Sequence, residues 1–323
     1  MKCMKKIEKV TLIGLGAMGC YFAPSLDAYL KKGCFRVLAE GSRKARIERE
    51  GVTINGVRHR FTLISPAEEN DPADLVIIAV KYTGLKQALA DIKNQVGPDT
   101  LILPILNGVD SEEIVAAAYG AERVLYAYMR VSASMKDGIA RYNADVGGVH
   151  FGEAKNDTLS ERVLRVKSLF DDCGIRYAID PDMVRGLWFK FMCNVGENQT
   201  CALLGIPYGV FHFSDHANII RREAMREVVA IANRLNIDLN ETDIEGQEET
   251  IRRLPFDNKP STLQDIENGR ETEVEMFAGK VLRLGEDLGI ETPINRLFYH
   301  AIKVYEEKNA GKFKDDKAKD IKV

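Results

Sequence analysis

The run VTLIGLGAMG, Val10 to Gly19, decides the fold. Val10 to Ile13 is a short aliphatic and β-branched stretch of the kind that forms a buried strand. Glycines follow at Gly14, Gly16 and Gly19, and the residues after them keep helical spacing until Gly33 stops them. Between a strand and a helix, these glycines have separate jobs. The first permits a tight turn, the second lets the backbone approach a pyrophosphate, and the third lets helix and strand pack closely. The helix N-terminus adds amide hydrogens and a partial positive charge. The spacing alone is a weak signal, but its context marks Gly14, Leu15, Gly16, Ala17, Met18 and Gly19 as a dinucleotide-binding loop. The blander alternative is a glycine turn in a similar domain that binds nothing.

Outward from this loop, the first half of the chain alternates strand and helix. Residues 35–39 read as the second strand, and residues 52–64 alternate around Asn55-Gly56, a strong two-residue hairpin signal. Residues 74–80 (DLVIIAV) lack polar alternation, as expected of a strand covered on both faces of a parallel sheet. Residues 101–106, 124–129 and 175–179 continue the pattern, which predicts an α/β, doubly wound Rossmann-type sheet. After Pro181 the texture changes: residues 183–204, 216–235, 242–254, 262–288 and 293–307 all carry helical spacing. The expected organisation is a dinucleotide-binding domain over 1–180 and an all-helical substrate domain over 181–323, with a frayed charged tail after about 308.

Composition narrows the function classes. With 323 residues, two domains are the default. The 45 Lys and Arg against 48 Asp and Glu give a net charge of −3, so there is no basic footprint for nucleic acid. No apolar run approaches the ~18 residues of a membrane span, and the basic Met1 to Lys9 precedes no signal-peptide core. The six cysteines show no CxxC and no metal-type spacing, so no metal is expected. These features predict a soluble cytoplasmic protein of a reducing compartment.

At the end of the second strand, Glu40 stands where a carboxylate would bond the adenosine ribose hydroxyls, which favours NAD. Arg43, Lys44 and Arg46 follow closely and could instead hold a 2′-phosphate, or form a solvated helix face. In the helical half, WFKFMCNVGEN sets Lys190, Asn194 and Asn198 at i, i+4 and i+8, one face of a helix drifting about 40° per step. Their neighbours are large and apolar. Desolvated Lys and Asn groups need partners, and a polar substrate would supply them; a structural Lys–Glu pair with network asparagines is the alternative. Further on, Ser261 opens Ser-x-x-Gln, which reads locally as a capping box, and Glu273 borders an apolar helical stripe. The bland reading of Glu273 is an exposed carboxylate paired with an Arg.

Taken in order, GLGAMG at Gly14, AVK ending in Lys81, LNG with Asn107, WFKFMCNVGEN, PSTLQD with Ser261 and RETE with Glu273 resemble the ketopantoate reductase (2-dehydropantoate 2-reductase) family, over roughly Lys9 to Glu307. The resemblance implies reduction of ketopantoate, or a closely related branched 2-keto acid, to the 2-hydroxy acid, as in pantothenate biosynthesis. It implies Lys190 as the general acid and Glu273 as the carboxylate that orients it. It makes Asn194, Asn198 and Ser261 substrate contacts, with Asn107 near both the nicotinamide and the substrate. It makes Lys81 a contact of coenzyme or substrate and sets Ser134 near a further coenzyme contact; Arg43, from its place after Glu40, is kept as a coenzyme candidate, and a homodimer is an open expectation. NADP(H) is the family expectation, with NAD(H) left open by Glu40, which stands where the family tends to carry Arg. A second departure is Tyr208, where the family usually has a substrate-contacting asparagine. Two other readings stay open: a β-hydroxyacid dehydrogenase-like enzyme, and a non-catalytic nucleotide-sensing protein.

Overall fold

The computed structural model describes residues 5–313 except 70, 132, 137 and 144; the tail expected to fray lies, from 314 onward, outside the described residues. The chain divides into two compact units between Leu187 and Trp188, a few residues beyond the change of texture at Asp180-Pro181.

The first unit opens with β1 (Val10–Ile13), α1 (Gly19–Tyr29), β2 (Phe35–Leu38) and α2 (Gly41–Glu50). It continues through β3 (Val52–Ile54), β4 (Val57–His59), β5 (Thr62–Ile64), β6 (Ala73–Ile78), α3 (Leu85–Asp91), β7 (Val96–Pro104) and α4 (Ser111–Tyr119). Five of these strands form a parallel sheet in the order β5-β2-β1-β6-β7, with Val10 in register with Phe35 on one side and Leu75 on the other. The unbroken apolar run of β6 is explained by its two faces. Leu75 and Ile77 pack into a core with Leu12, Phe22 and Leu26, while Val76 and Ile78 pack into another with Leu85, Ala88 and Val115.

The remaining strands correct the sequence expectation. β8 (Tyr126–Arg130), β9 (Ala133–Lys136), β10 (Ile139–Tyr142), β11 (Gly148–Gly152) and β12 (Tyr177–Ala178) do not extend the parallel sheet, and α5 (Glu161–Cys173) lies between the last two in sequence. β8 pairs antiparallel with β11, which pairs parallel with β12. A single bridge from Ile102 to Val124 joins the chain before β8 to β7. The hairpin signal is realised with Asn55 at φ 48° and Gly56 at φ 83°, as a two-residue turn of the primed type requires. The alternating 52–64 stretch is nevertheless shared between sheets: β3 and β4 join β10 and β9, whereas β5 returns beside β2. Alternation signals strands but does not name their partners.

Helix α6 (Met183–Cys193) contains the boundary between the units. The second unit continues through α7 (Gln199–Leu204), α8 (Asp215–Arg234), α9 (Glu241–Arg252), α10 (Ser261–Glu267), α11 (Ala278–Leu288) and α12 (Pro293–Asn309). Ala202, Ala224, Val274, Ala278, Phe298 and Ile302 form one of its cores. Two expected helices are interrupted. Residues 194–198 form a π turn between α6 and α7. The 262–288 stretch breaks after Glu267: Gly269 takes φ 64°, the Arg270 amide closes on Asp265 O at 2.8 Å, and α11 begins only at Ala278. Glu273 therefore sits on a turn rather than a helix face. Among the described residues, no helix is long and apolar enough to cross a membrane.

Candidate active site

At the carboxyl edge of the parallel sheet, the turn after β1 is pressed against the end of β6. Gly14 has φ 97°, and a Cβ there would lie 2.5 Å from Ala79 O, so only glycine fits. Gly19 is equally tight, against Gly14 O, whereas a Cβ on Gly16 would meet nothing within 4 Å. There is thus room beside the backbone at Gly16 for a phosphate, with the Gly16 amide itself donating to Gly14 O at 2.9 Å. At the start of α1 the Cys20 amide donates to Gly16 O at 2.9 Å and the Tyr21 amide to Met18 O at 3.1 Å, while the first turn carries no acidic residue, so the positive end of the helix dipole is unopposed there. These features fit a dinucleotide pyrophosphate. The loop also lies where the strand order reverses, since β1 connects outward to β2 and β6 outward to β7.

Two further candidates reach the same edge. The ladder runs past the strands, with Ala79 N donating to Ile13 O at 2.8 Å and Ile105 N to Ile78 O at 2.7 Å. It carries exposed Lys81 to the start of a 3₁₀ turn, and half-buried Asn107 to the loop before α4. A strut unforeseen from sequence links these loops: the Tyr82 hydroxyl donates to Asp110 Oδ2 at 3.1 Å. Nearby, Glu112 is buried at 3% exposure; burial raises its carboxyl to about 7, against the bond it accepts from Ala127 N.

Glu40 is the exposed N-cap of α2 and makes no capping bond, which leaves its carboxylate out of the helix end. On α2, Lys44 is held by Glu68 at 3.2 Å and Arg49 pairs with Glu50. Arg43 and Arg46 line an open groove with Ser42, Ala45 and Arg49. Arg43 also bears on the start of α1: burial pushes the Cys20 thiol up to about 12, and the Arg43 charge pulls it the other way. Ser134 is exposed on β9, and its neighbour Met135 lines a groove with Leu15, Arg46 and Ile139.

In the second unit, Lys190 lies in the last turn of α6, and the π turn carries Asn194 to Asn198. A π turn takes more residues per revolution than an α turn, so the expected drift from Asn194 to Asn198 is reversed and the two side chains stay together. Asn198 Nδ2 lies 3.4 Å from Asn194 Oδ1. Such turns recur at functional sites. Its cause is tertiary. A Cβ on Gly196 would lie 2.5 Å from Met225 Cγ and 2.9 Å from Arg221 O, so α8 packs directly on the π backbone. Buried Arg221 reaches Glu197 Oε1 at 3.6 Å and Glu248 Oε1 at 3.5 Å, across the Phe211 ring.

Ser261 and Glu273 are tied to this segment through the backbone. The capping box is not formed: Pro260 is the N-cap of α10, exposed Ser261 makes no cap, and Gln264 donates to Lys259 O instead. The loop before Ser261 is anchored where Tyr208 N donates to Asn258 O (2.9 Å) and Gly209 N to Phe256 O (3.0 Å). The Tyr208 hydroxyl itself donates to Asn198 Oδ1 at 2.8 Å. Before Glu273, Thr272 is clamped by Glu306 through both its amide (2.9 Å) and its hydroxyl (2.6 Å). After Glu273, the amide of Ala278 donates to Gln199 Oε1 at 3.0 Å. Gln199, buried on α7, thus links the turn of Glu273 to the helix that follows Asn198. Sequence offered no signal for this link: Gln199 stands between Asn198 and Thr200 like any polar residue.

The profile described as "Ketopantoate reductase PanE/ApbA" matches residues 10–156, and "Ketopantoate reductase PanE/ApbA C terminal" matches residues 182–306. The 2-dehydropantoate 2-reductase of Streptococcus pyogenes serotype M1 is 27% identical over 292 residues, covering 89% of this chain and 94% of that protein. Among solved structures, D-mandelate dehydrogenase with NADH and anilino(oxo)acetate superposes with a TM-score of 0.85 at 20% identity, covering 94% of this chain and 99% of that one. A dimeric ketopantoate reductase from Staphylococcus aureus gives 0.78 at 18% identity, covering 93% and 99%. At these identities the structures speak for the fold, which extends over nearly the whole chain. The two profiles fall in order along the chain and leave out the termini and residues 157–181, which carry α5 and β12: this chain belongs to the ketopantoate reductase family.

Proposed function

We propose that the protein reduces a 2-keto acid, ketopantoate or a closely related branched one, to the 2-hydroxy acid, using NADH or NADPH. The observation that carries this reading is the hydrogen-bonded Asn194–Asn198 pair one turn beyond Lys190, with Asn194 half-buried and Asn198 buried in an apolar surround. Bound coenzyme supplies the hydride. The chain's own residues do the rest. The open backbone at Gly16 and the positive end of α1 bind the pyrophosphate, with Lys81 and Asn107 at the same edge to orient the nicotinamide half. Lys190 donates a proton to the C2 oxygen as negative charge grows there, and Glu273 keeps the ammonium oriented. The amides of Asn194 and Asn198 hold the substrate, and the Ser261 hydroxyl, not consumed in capping, binds its carboxylate. By analogy with the dimeric relative, the proposed assembly is a homodimer.

Charges of both signs surround the ribose position. Glu40 suits free ribose hydroxyls, and Arg43 and Arg46 suit a 2′-phosphate, which supports use of both coenzymes. The test is loss of absorbance at 340 nm with NADH and with NADPH across branched and unbranched 2-keto acids, ketopantoate included. Turnover of a branched 2-keto acid is expected with either coenzyme. No turnover of any acid with either one refutes the reading.

A further inference from the structure

The Tyr208 ring packs against a core of Cys201, Phe211 and Leu263, while its hydroxyl reaches back to Asn198. The ring is held from the backbone side as well, by the paired bonds to the 256–258 loop. Burial, and the nearby Glu197, Cys201 and Cys193, keep the phenol well above its ordinary pKa, so it carries its proton throughout the working range. A phenol that keeps its proton can donate, and at 2.8 Å from Asn198 Oδ1 it donates there. An amide offers an acceptor oxygen and a nitrogen with two donor hydrogens. With Asn198 Oδ1 taken up by Tyr208, Asn198 Nδ2 turns toward Asn194 Oδ1, 3.4 Å away. That contact uses Asn194 Oδ1 as the acceptor and keeps Asn194 Nδ2 as a donor. The hydrogen bonds therefore run in one direction, from Tyr208 through Asn198 to Asn194.

Resting on the reductase reading above, we propose that Tyr208 is a positioning residue: through Asn198 it sets the direction of the amide ladder, so that Asn194 and Asn198 present N–H donors to the substrate. A site of donors beside an ammonium matches acceptor oxygens, the carboxylate and ketone of a 2-keto acid. It disfavours substrates that would place an N–H donor there, such as the corresponding 2-amino acid. Without the phenol, either asparagine amide can turn over and offer its oxygen, and the donor array is present only part of the time.

The test is a double-mutant cycle in the full-length protein, read by steady-state kinetics on the best 2-keto acid of the panel. Tyr208→Phe preserves the packed ring and should raise KM about tenfold, the order of one lost hydrogen bond, with kcat, coenzyme affinity and thermal midpoint nearly unchanged. Asn198→Ala alone should raise KM further. In the Asn198→Ala background, Tyr208→Phe should have no added effect, because the residue it acts through is gone. Asn198→Asp, which keeps an acceptor for Tyr208 but cannot donate, should raise KM at least as much as Asn198→Ala. An unchanged KM in Tyr208→Phe, additive effects in the cycle, or a wild-type KM in Asn198→Asp would each overturn the proposal. If the wild type reduces no 2-keto acid, it is the reductase reading that falls, so the two failures are distinct.

Discussion

A Cβ on Gly14 would lie 2.5 Å from the carbonyl oxygen of Ala79, so the turn after β1 and the end of β6 meet backbone to backbone. That contact holds the glycine loop at the place where the strand order reverses, and the same edge receives Lys81 and Asn107.

The contact shows in the structure the separate roles of Gly14 and Gly16. Gly14→Ala must move backbone at a positive φ and is expected to cost at least about 2 kcal/mol of stability, measured by urea unfolding. Gly16→Ala meets open space, so it should keep the wild-type thermal midpoint while weakening coenzyme binding tenfold or more in a fluorescence titration. Equal stability losses in the two variants would contradict the assignment.

Lys190→Ala should lower kcat by about 10²–10⁴, the usual contribution of a positioned proton donor. Coenzyme affinity should stay at the wild-type value, because the glycine loop lies in the other unit. Turnover close to wild type would remove Lys190 from the chemistry.

Coenzyme choice should respond to charge at the start of α2. Glu40→Arg is expected to raise the ratio of kcat/KM for NADPH over NADH about tenfold, and Arg43→Glu to lower it by a similar factor, each the size of one exposed charge contact of roughly 1 kcal/mol. If Glu40→Arg left the ratio where it was, Glu40 would not face the ribose.

Glu112 makes stability depend on pH. The unfolded chain ionises this carboxyl near 4.5, while burial in the fold keeps it protonated to about 7. Between those values the native state binds more protons than the unfolded state, so this group's contribution falls as pH rises and levels off above about 7. The difference corresponds to on the order of 3 kcal/mol. Glu112→Gln should remove that slope, so the gap in unfolding free energy between variant and wild type should widen in the variant's favour from pH 5 to pH 8. A gap that does not change with pH would mean that Glu112 does not titrate in this window.

Features that depend on neighbours in the chain are legible in the amino-acid sequence. Glycine spacing after an aliphatic run specifies a strand, turn and helix. DLVIIAV announces burial on both faces, and Asn55-Gly56 announces a hairpin that forms. Counting residues per turn brings Asn194 and Asn198 to neighbouring positions, though it does not give the π turn that sets them 3.4 Å apart. What counting could not supply was decided at long range. β8, β11 and β12 found one another instead of the parallel sheet. The π turn exists because Gly196 lets α8 reach its backbone, with Met225 and Arg221 about 25–30 residues away in sequence. The turn of Glu273 is pinned by Glu306 on α12 and by Gln199 on α7, and Ser261 is left uncapped because Pro260 takes the cap position. Tyr208 reaches Asn198 only because the 256–258 loop holds its backbone. Local pattern determines which element a residue joins, because propensity and periodicity act within a few residues. The donor a side chain finally meets is set by packing between distant segments, and there tertiary structure alone decides.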